Sequence, residues 1–299
     1  MRILITGANG QLGTELVRQL ESGKSALGDI PKVLQGAVVA AVDIEDGDLT
    51  KLRVVQGLLA EHTPDVVINC AAFTNVDKCE TERDTAFAAN ALAPRNLAIA
   101  CEAAGAKLIH ISTDYVFNGQ GEIPFSEADL PAPRSVYGAT KRLGEEYVRA
   151  FCSRWFIVRT AWLYGRQGGN FVKTILRVAK EKGELQVVND QRGNPTNAED
   201  LAHHLLLLAP TEEYGIYHGT GNGICSWYDF ASEIVRLSGI KAQVKPCSTD
   251  EFYQQAKRQA ERPAYSALDH SMLRATVGDH MRPWREALAP YIEEMIQQP

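Results

Sequence analysis

Tyr137 and Lys141, four residues apart, are the side chains in this sequence best suited to proton transfer. Residues at this spacing on a helix project from the same face. An ammonium beside a phenol favours the phenolate, so we expect Lys141 to lower the pKa of Tyr137 and make it an acid–base group near neutral pH. Such a phenol can give a proton to a carbonyl oxygen during reduction. The competing interpretation is an exposed helix with an ordinary lysine, because this spacing also arises by chance.

A polar strand end precedes this helix in the chain. The apolar run at residues 108–111 is followed by Ser112, Thr113 and Asp114. We expect Thr113 to hydrogen-bond the same carbonyl oxygen that Tyr137 protonates. The position of the Tyr–Lys pair after a strand-end threonine therefore favours a catalytic site over a chance spacing.

A glycine-rich turn follows the first predicted strand. Residues 7–13 read Gly-Ala-Asn-Gly-Gln-Leu-Gly, between the apolar run at residues 3–6 and an amphipathic pattern at residues 11–21. Glycines in such a turn let a pyrophosphate approach the backbone, and the helix N-terminus offers unpaired N–H groups to the phosphates. In this dinucleotide site we expect Tyr137 and Lys141 to contact the cofactor as well, Lys141 at the nicotinamide ribose. The turn contributes Gly7, Gly10, Gln11, Leu12 and Gly13.

Two later strand ends extend the predicted dinucleotide site. Asp43 ends the second strand, where a carboxylate accepts hydrogen bonds from the adenosine ribose and repels a 2′-phosphate unless a basic side chain is near. Residues 44–48 include no basic side chain, so we expect NADH to bind at least as well as NADPH. The alternative is that Asp43 only caps a loop. The other predicted contacts are Asp48, Leu49, Ala71, Ala72, Phe73 and Thr74.

The order of apolar runs and helical patterns predicts an α/β fold with a Rossmann-like, doubly wound parallel sheet. Alternation of the two implies right-handed crossovers and helices on both faces of the sheet. The expected strands are residues 3–6, 38–42, 66–69, 108–111 and 156–159, and the expected helices are residues 11–21, 52–61, 84–104 and 137–150. The alternation weakens after about residue 165. We therefore predict an NAD(P)-binding domain from residues 1–164 with 186–219 returning to it, and a smaller C-terminal substrate-binding lobe from 165–185 and 220–299.

The composition is that of a globular protein without affinity for polyanions. Of the 299 residues 45% are hydrophobic, and a net charge of −6 with scattered Lys and Arg argues against nucleic acid or a membrane surface as a partner. No apolar stretch approaches the roughly 20 residues of a membrane helix. The chain opens directly into a strand, so we expect a cytoplasmic protein without a signal peptide. The six cysteines include no CxxC pair, so free thiols are expected.

Together these motifs resemble the extended short-chain dehydrogenase/reductases, and among them the dTDP-4-dehydrorhamnose reductases. The resemblance covers nearly the whole chain, at residues 7–13, 69–77, 111–117, 137–141, 159–162, 169–171, 188–191 and 262–263. It implies reduction of dTDP-4-dehydro-L-rhamnose to dTDP-L-rhamnose, the last step in making an activated sugar for surface polysaccharide. By the same likeness Tyr137 donates the proton and Thr113 steadies the oxyanion. The implied sugar contacts are Thr113, Asp114, Trp162 and Asn170.

Two further side chains have substrate roles that chemistry also supports. The guanidinium of Arg262 matches the geometry of a diphosphate, with a surface salt bridge as the competing interpretation. Trp162 can stack on a sugar or base, or it can fill the hinge between lobes. A helix is expected to begin at Trp227, and we expect its aromatic side chains to pack in the core.

Other functions remain open at this point. Nucleotide-sugar 4,6-dehydratases place an Asp-Glu pair after the catalytic threonine, whereas Asp114 is followed by Tyr115 here. Epimerases of the fucose-synthase type use a thiol, which residues 112–114 do not supply. Another nucleotide-sugar reductase or epimerase is an alternative, as is a non-catalytic NAD(P)-binding subunit like the regulatory partner of methionine adenosyltransferase. Binding without turnover would identify the last.

Three side chains suggest a divalent cation site. Glu199 and His203 lie four apart on a predicted helix and Glu15 lies on the first helix; some proteins that resemble this chain hold a metal between subunits through acids at such positions. His203 stands where another acid is expected, although hard cations prefer oxygen ligands. We therefore expect no metal in the chemistry and treat a bound divalent ion as optional, in a monomer or homodimer.

Overall fold

A six-stranded parallel sheet forms the centre of the computed structural model, which describes residues 1–256 and 260–297. Positions 257–259 and 298–299 of the predicted substrate-binding lobe therefore lie outside the described residues. The strands are β1 Arg2–Thr6, β2 Lys24–Ser25, β3 Gly28–Asp29, β4 Val38–Val42, β5 Val66–Asn69, β6 Lys107–Thr113, β7 Trp155–Thr160, β8 Leu163–Tyr164, β9 Glu184–Val188, β10 Arg192–Gly193, β11 Thr196–Asn197, β12 Gly215–His218, β13 Cys225–Ser226 and β14 Gln243–Cys247. The α-helices are α1 Gln11–Ser22, α2 Leu52–His62, α3 Val76–Thr81, α4 Arg83–Phe87, α5 Ala93–Ala104, α6 Val136–Phe151, α7 Phe171–Lys182, α8 Ala198–Leu208, α9 Trp227–Ser238, α10 Thr249–Ala256, α11 Ser271–Ala275 and α12 Trp284–Gln297.

The strand order of the central sheet is β12-β7-β6-β5-β1-β4, and neighbouring strands are parallel. The chain leaves β1 for β4 on one side and then crosses back to β5 on the other. The order therefore reverses at β1, and a crevice opens beyond the carboxyl ends of β1 and β5, where ligands bind in folds of this kind. The Rossmann-like α/β fold is thereby confirmed.

Apolar side chains cover both faces of this sheet. Alternate residues of β1 point to opposite layers: Ile3 and Ile5 pack in a core with α1 and α8, whereas Leu4 packs in a second core with α2 and α5. Strands that are buried on both faces read as continuous apolar runs in the sequence. For this reason the expected strands fall within a few residues of the observed ones.

A second group of elements, α7, α9 and α12 with β9 and β14, has its own apolar core, and we call it the C-terminal lobe. Contrary to the prediction from the sequence, the chain does not return to the central sheet at residue 186. β9 pairs with β14 in the C-terminal lobe, and the return consists of α8, which packs on α1, and β12, which pairs with β7. Leu273 and Met281 also pack with the first core rather than with this lobe.

The helix predicted at residues 84–104 is interrupted by a π-helical turn, Ala88–Leu92, between α4 and α5. In this turn the side-chain oxygen of Asn90 accepts a hydrogen bond from the Phe73 N–H at 2.8 Å, and its side-chain nitrogen donates one to the Phe73 carbonyl oxygen at 3.0 Å. Such turns are frequent at functional sites. This one fastens the loop that follows β5.

All six cysteines are free, as expected. Among the residues that the structure describes, no helix has the length and apolar character needed to span a membrane.

Candidate active site

Two adjoining cavities occupy the crevice at the carboxyl ends of the strands. The first chamber, of about 570 Å³, lies beside β1 and β4, and the second chamber, of about 510 Å³, lies over β6 and β7. Gly7, Gly10, Cys70 and Ala72 line both, so the two chambers meet at the glycine-rich turn. Together they form an elongated cleft that starts at the strand-order reversal and extends toward the C-terminal lobe.

The glycine-rich turn needs its glycines for steric reasons. Gly7 has φ +67°, and a Cβ there would lie 2.7 Å from the amide nitrogen of Ala71. A Cβ on Gly13 would lie 2.4 Å from the Gly7 carbonyl oxygen. Gly10 is the N-cap of α1, and since it has no side chain, the first-turn N–H groups face the cleft uncapped. A pyrophosphate can therefore approach the backbone of this turn closely and accept hydrogen bonds from the N–H groups at the start of α1.

The residues predicted for the adenosine half of a dinucleotide converge on the first chamber. Asp43 accepts the backbone N–H of Asn9 at 2.8 Å, so this carboxylate also braces the turn. The hydroxyl and amide of Thr50 hold the pKa of Asp48 below its usual value. Within the described residues, no Arg or Lys lines this chamber. The predicted residues that line it are Asp43, Asp48, Leu49, Ala71, Ala72 and Phe73, whereas Thr74 lines the second chamber with Gln11, Leu12 and Gly13.

The predicted catalytic side chains Thr113, Tyr137 and Lys141 all line the second chamber. Thr113 is the last residue of β6, and Tyr137 lies in the first turn of α6. The N-cap side chain of Ser135 accepts the Gly138 N–H at 3.1 Å and fixes the start of that helix. Strand end and helix start therefore bring residues that are distant in sequence to one wall of the cleft.

The expectation that Lys141 lowers the pKa of Tyr137 is wrong for this structure. Burial raises the pKa of Tyr137 above its usual value, and a hydrogen bond with Thr113 opposes this only in part. Lys141 Nζ instead donates to the carbonyl oxygen of Ile111 at 2.5 Å. Burial lowers the pKa of Lys141 to about 8, opposed by the carboxylate of Glu145. The shared helix face was predicted correctly, but the ammonium turns toward β6.

Asp114 follows Thr113 and is buried in the wall of the second chamber. Its Oδ1 accepts a hydrogen bond from the Thr113 hydroxyl at 2.9 Å. Burial raises the pKa of Asp114 to about 6, in spite of the surrounding hydrogen bonds. This carboxyl group can therefore change its charge within the pH range in which enzymes are assayed.

Arg262 lines the second chamber and is also engaged in a salt bridge. Its Nη2 lies 2.8 Å from Asp77 Oδ2, and its Nη1 donates to the Tyr115 hydroxyl at 3.2 Å. The salt bridge that was considered as the alternative role of Arg262 is thus present. It holds the guanidinium in the wall of the cleft.

Trp162 and Trp227 stack face to face in the wall of the second chamber. Their ring centroids are 3.5 Å apart and their planes differ by 8°. Trp162 has φ +49°, a left-handed conformation that is unusual for a residue with a side chain. Trp227 was expected only to pack, yet it lines the chamber with Trp162. In the sequence, the feature that could have indicated this role is an aromatic residue at the first position of a predicted helix.

Asn170, assigned by resemblance to the sugar, does not line either chamber within the part of the chain that the structure describes. It is the N-cap of α7, and its side-chain oxygen accepts the Lys173 N–H at 3.0 Å. Its amide nitrogen donates to Gln11 Oε1 at 3.0 Å and to the Gly165 carbonyl at 2.9 Å. These bonds explain its position better than a ligand contact does, because they join the glycine-rich turn to the C-terminal lobe.

A buried charged network that sequence reasoning missed lies behind this wall. Glu145, on α6, accepts hydrogen bonds from Ser112 Oγ at 2.6 Å and from Arg159 on β7. Ser112 lies between Ile111, which binds Lys141, and Thr113. The network therefore fixes the strand that carries two groups of the candidate site. Its signal in the sequence was a charged residue, Arg159, within an apolar strand.

The acids considered for a metal are paired with arginines. Arg166 lies 2.6 Å from Glu15, 3.2 Å from Glu199 and 2.8 Å from Glu294, and Arg18 lies 2.6 Å from both Glu15 and Glu199. His203 hydrogen-bonds Ser25 at 2.9 Å. Over residues 1–256 and 260–297, no group of three or more His, Cys, Asp or Glu side chains is arranged to hold a metal ion. The guanidinium groups of Arg18 and Arg166 therefore balance the negative charge of these carboxylates.

Comparisons with known proteins show the family of the chain. The family model described as the RmlD substrate binding domain matches residues 1–297. A dTDP-4-dehydrorhamnose reductase of Streptomyces griseus is 42% identical over 294 residues, which cover 96% of this chain and 91% of that protein. The solved dTDP-4-dehydrorhamnose reductase of Clostridium acetobutylicum is 47% identical with a TM-score of 0.91 and 99% of each chain covered. That of Bacillus anthracis, in complex with NADP, is 42% identical with a TM-score of 0.90, covering 98% of this chain and 99% of that one.

A match of this extent includes the cleft, the glycine-rich turn and the wall that carries Thr113, Tyr137 and Lys141. The chain belongs to the dTDP-4-dehydrorhamnose reductase family.

Proposed function

We propose that this chain reduces the keto group of dTDP-4-dehydro-L-rhamnose to the alcohol of dTDP-L-rhamnose, with a nicotinamide dinucleotide as reductant. The observation that carries the proposal is that Thr113, Tyr137 and Lys141 line the same chamber as the glycine-rich turn. The reductases named above support the choice of substrate. No carboxylate follows Asp114, where Tyr115 stands, so the site favours reduction over elimination of water.

The residues present fit a dinucleotide. The cleft has an uncapped helix N-terminus and a turn that leaves no room for a Cβ at Gly7 or Gly13. The carboxylate of Asp43 lines its other end, where a ribose can bind. A bound nicotinamide supplies the hydride for the carbonyl carbon. Because Asp43 lines the first chamber without a nearby guanidinium or ammonium in its described lining, NADH binds at least as well as NADPH. The NADP-bound relative makes NADPH the necessary comparison.

Tyr137 donates the proton to the developing alkoxide. A tyrosine phenol is protonated at neutral pH, so Tyr137 carries the proton that the alkoxide needs. The Thr113 hydroxyl donates its one proton to Asp114 Oδ1 in this structure, and it steadies the same oxygen when it turns to the bound substrate. Lys141, one turn further along α6, offers its ammonium to the nicotinamide ribose. The hydrogen bond between Lys141 and Ile111 anchors this ammonium to β6.

Asp114, Trp162 and Arg262 bind the sugar nucleotide. The paired indoles of Trp162 and Trp227 give a flat apolar face suited to a sugar ring or base. Arg262 offers a guanidinium to the diphosphate, in competition with Asp77. Both surfaces lie in the second chamber, so the substrate enters beside the residues that handle the proton.

The test is cofactor oxidation by the purified protein, with dTDP-4-dehydrorhamnose generated in place by the preceding enzymes. We expect stoichiometric loss of NADH and formation of dTDP-rhamnose, followed by nicotinamide absorbance and chromatography. A parallel titration with NADPH measures the preference. Cofactor binding without turnover would overturn the proposal in favour of a non-catalytic subunit.

A further inference from the structure

Two buried polar atoms in the wall of the second chamber have no hydrogen-bond partner among residues 1–256 and 260–297. They are Asp114 Oδ2 and Thr160 Oγ1. Asp114 is 2% exposed and Thr160 is 8% exposed, and both residues line the chamber. Ser266 lies near enough to lower the pKa of Asp114, but its hydroxyl is outside hydrogen-bonding geometry. Leaving buried polar groups unpaired is costly, so such atoms mark a place where a ligand supplies the missing bonds.

Thr160 lies beside the proton-handling residues because of strand register. It ends β7 as Thr113 ends β6, and the two are Cα partners in the parallel ladder. Side chains of register partners point to the same face of a sheet. The preceding pair, Ser112 and Arg159, points to the opposite face, where both contact Glu145. Thr113 and Thr160 are therefore adjacent hydroxyls on the chamber side of the sheet.

The chemistry of the two unpaired atoms defines what they bind. A carboxylate oxygen only accepts a hydrogen bond, whereas a threonine hydroxyl both donates and accepts. One sugar hydroxyl can satisfy both by donating to Asp114 and accepting from Thr160. A ketone oxygen, which only accepts, cannot pair with ionised Asp114.

We propose that Asp114 Oδ2 and Thr160 Oγ1 together bind the sugar hydroxyl next to the ketone, which makes Thr160 a specificity-determining residue. The inference rests on the proposed function, which puts the ketone oxygen at Thr113 and Tyr137. The Thr113 hydroxyl is bonded to Asp114 Oδ1, so this carboxylate lies beside the place of the ketone oxygen. On a 4-keto-6-deoxyhexose, the hydroxyl one step from the ketone is at C3, while C5 on the other side carries a methyl group.

The experiment compares two substrates, the keto-sugar nucleotide and its analogue that lacks the C3 hydroxyl. We expect the wild-type protein to prefer the hydroxylated substrate by at least about tenfold in kcat/KM, because the analogue leaves Asp114 and Thr160 unpaired. Thr160→Val keeps the shape of the side chain and removes its hydroxyl. It should lower kcat/KM for the hydroxylated substrate by about tenfold, change that for the analogue little, and leave the KM of the cofactor unaltered.

Two further variants sharpen the test. Thr160→Ser retains a hydroxyl and should restore the preference. Ser232→Ala removes an unpaired buried hydroxyl on α9, outside the lining of the second chamber, and should behave as wild type. An equal loss on both substrates in Thr160→Val, or no preference in the wild type, would overturn the inference. The wild-type comparison does not depend on whether a variant folds, and failure of the proposed function would instead appear as no reduction of either substrate.

Discussion

The guanidinium of Arg159 binds both carboxylate oxygens of Glu145, with Nε 2.8 Å from Oε1 and Nη2 2.8 Å from Oε2. Arg159 is 1% exposed and Glu145 is 0% exposed. Burial acts to raise the pKa of Glu145, but the hydrogen bonds and charge of Arg159 outweigh it and hold the pKa below its usual value. The pair joins β7 to α6 one turn beyond Lys141, so it supports the wall of the second chamber from behind.

Replacing Glu145 by Gln should lower the free energy of unfolding by about 3–5 kcal/mol, because it leaves a buried guanidinium without its counter-charge. Urea unfolding at neutral pH measures this loss. In the wild type the folded-state pKa is depressed, so the stabilisation is fully present above the unfolded-state pKa of about 4.3 and is lost as the pH falls through the folded-state value. The matched control is Glu146→Gln, whose carboxylate pairs with Arg142 at the surface and should contribute at most about 1 kcal/mol. Similar losses in the two variants would contradict the prediction.

Replacing Tyr137 by Phe should lower turnover by about 10²- to 10⁴-fold, since it removes the proton donor. The dissociation constant of NADH should stay within about twofold, because the glycine-rich turn is untouched. Steady-state kinetics and fluorescence titration provide the two readouts. Tyr147→Phe is the control on the same helix; its ring packs against Phe151, away from the cleft. Near-normal turnover in Tyr137→Phe would remove the phenol from the mechanism.

Asp114 should produce an acid limb in the pH profile of kcat/KM. Its folded-state pKa is raised to about 6 by burial, so the carboxylate is charged above about pH 6 and becomes neutral as the pH falls through that value. The neutral form accepts a hydrogen bond from the sugar less well, so kcat/KM should fall on the acid side. In Asp114→Asn the limb near pH 6 should disappear and the plateau should be lower. An unchanged limb in that variant would assign it to another group.

Replacing Asp43 by Ala should raise the dissociation constant of NADH by roughly tenfold and that of NADPH by less. Only the unphosphorylated ribose of NADH can donate hydrogen bonds from both of its hydroxyls to a carboxylate. Asp43 also accepts the Asn9 N–H, so both cofactors should lose a common part through the glycine-rich turn. The ratio of the two dissociation constants isolates the ribose contact. Glu45→Gln, an exposed acid outside the first chamber, should leave the ratio unchanged. If both cofactors bind equally more weakly, Asp43 only braces the glycine-rich turn and does not contact the ribose.

The parts of the fold that local pattern encodes could be predicted from the sequence. β1 and β5 are apolar runs that the sheet buries, and β4 is an apolar run at its edge. The residues of the glycine-rich turn were located because their spacing reflects a steric need. Pairings between distant segments were not accessible in this way. β9 and β14 pair across more than fifty residues, so nothing in either segment alone shows that it belongs to the C-terminal lobe.

Side-chain orientation limited the prediction of the candidate site. The spacing of Tyr137 and Lys141 correctly put them on one helix face, but it could not show that Lys141 turns to the Ile111 carbonyl. Thr160 was hidden because its importance comes from register with Thr113, which depends on the sheet. The left-handed backbone of Trp162 likewise depends on tertiary contacts, since local preference opposes it.

The outer strand β12 is supplied late, from residues 215–218, after the chain has already entered the C-terminal lobe. A fragment that ends at residue 164 would therefore present β7 as a bare edge, with unpaired backbone groups beside the apolar side chains of Phe156 and Val158. Such an edge invites pairing with another copy and aggregation. Chimaeras that exchange substrate specificity between relatives must therefore keep β12 with its own sheet, which means joining the parent sequences at more than one place.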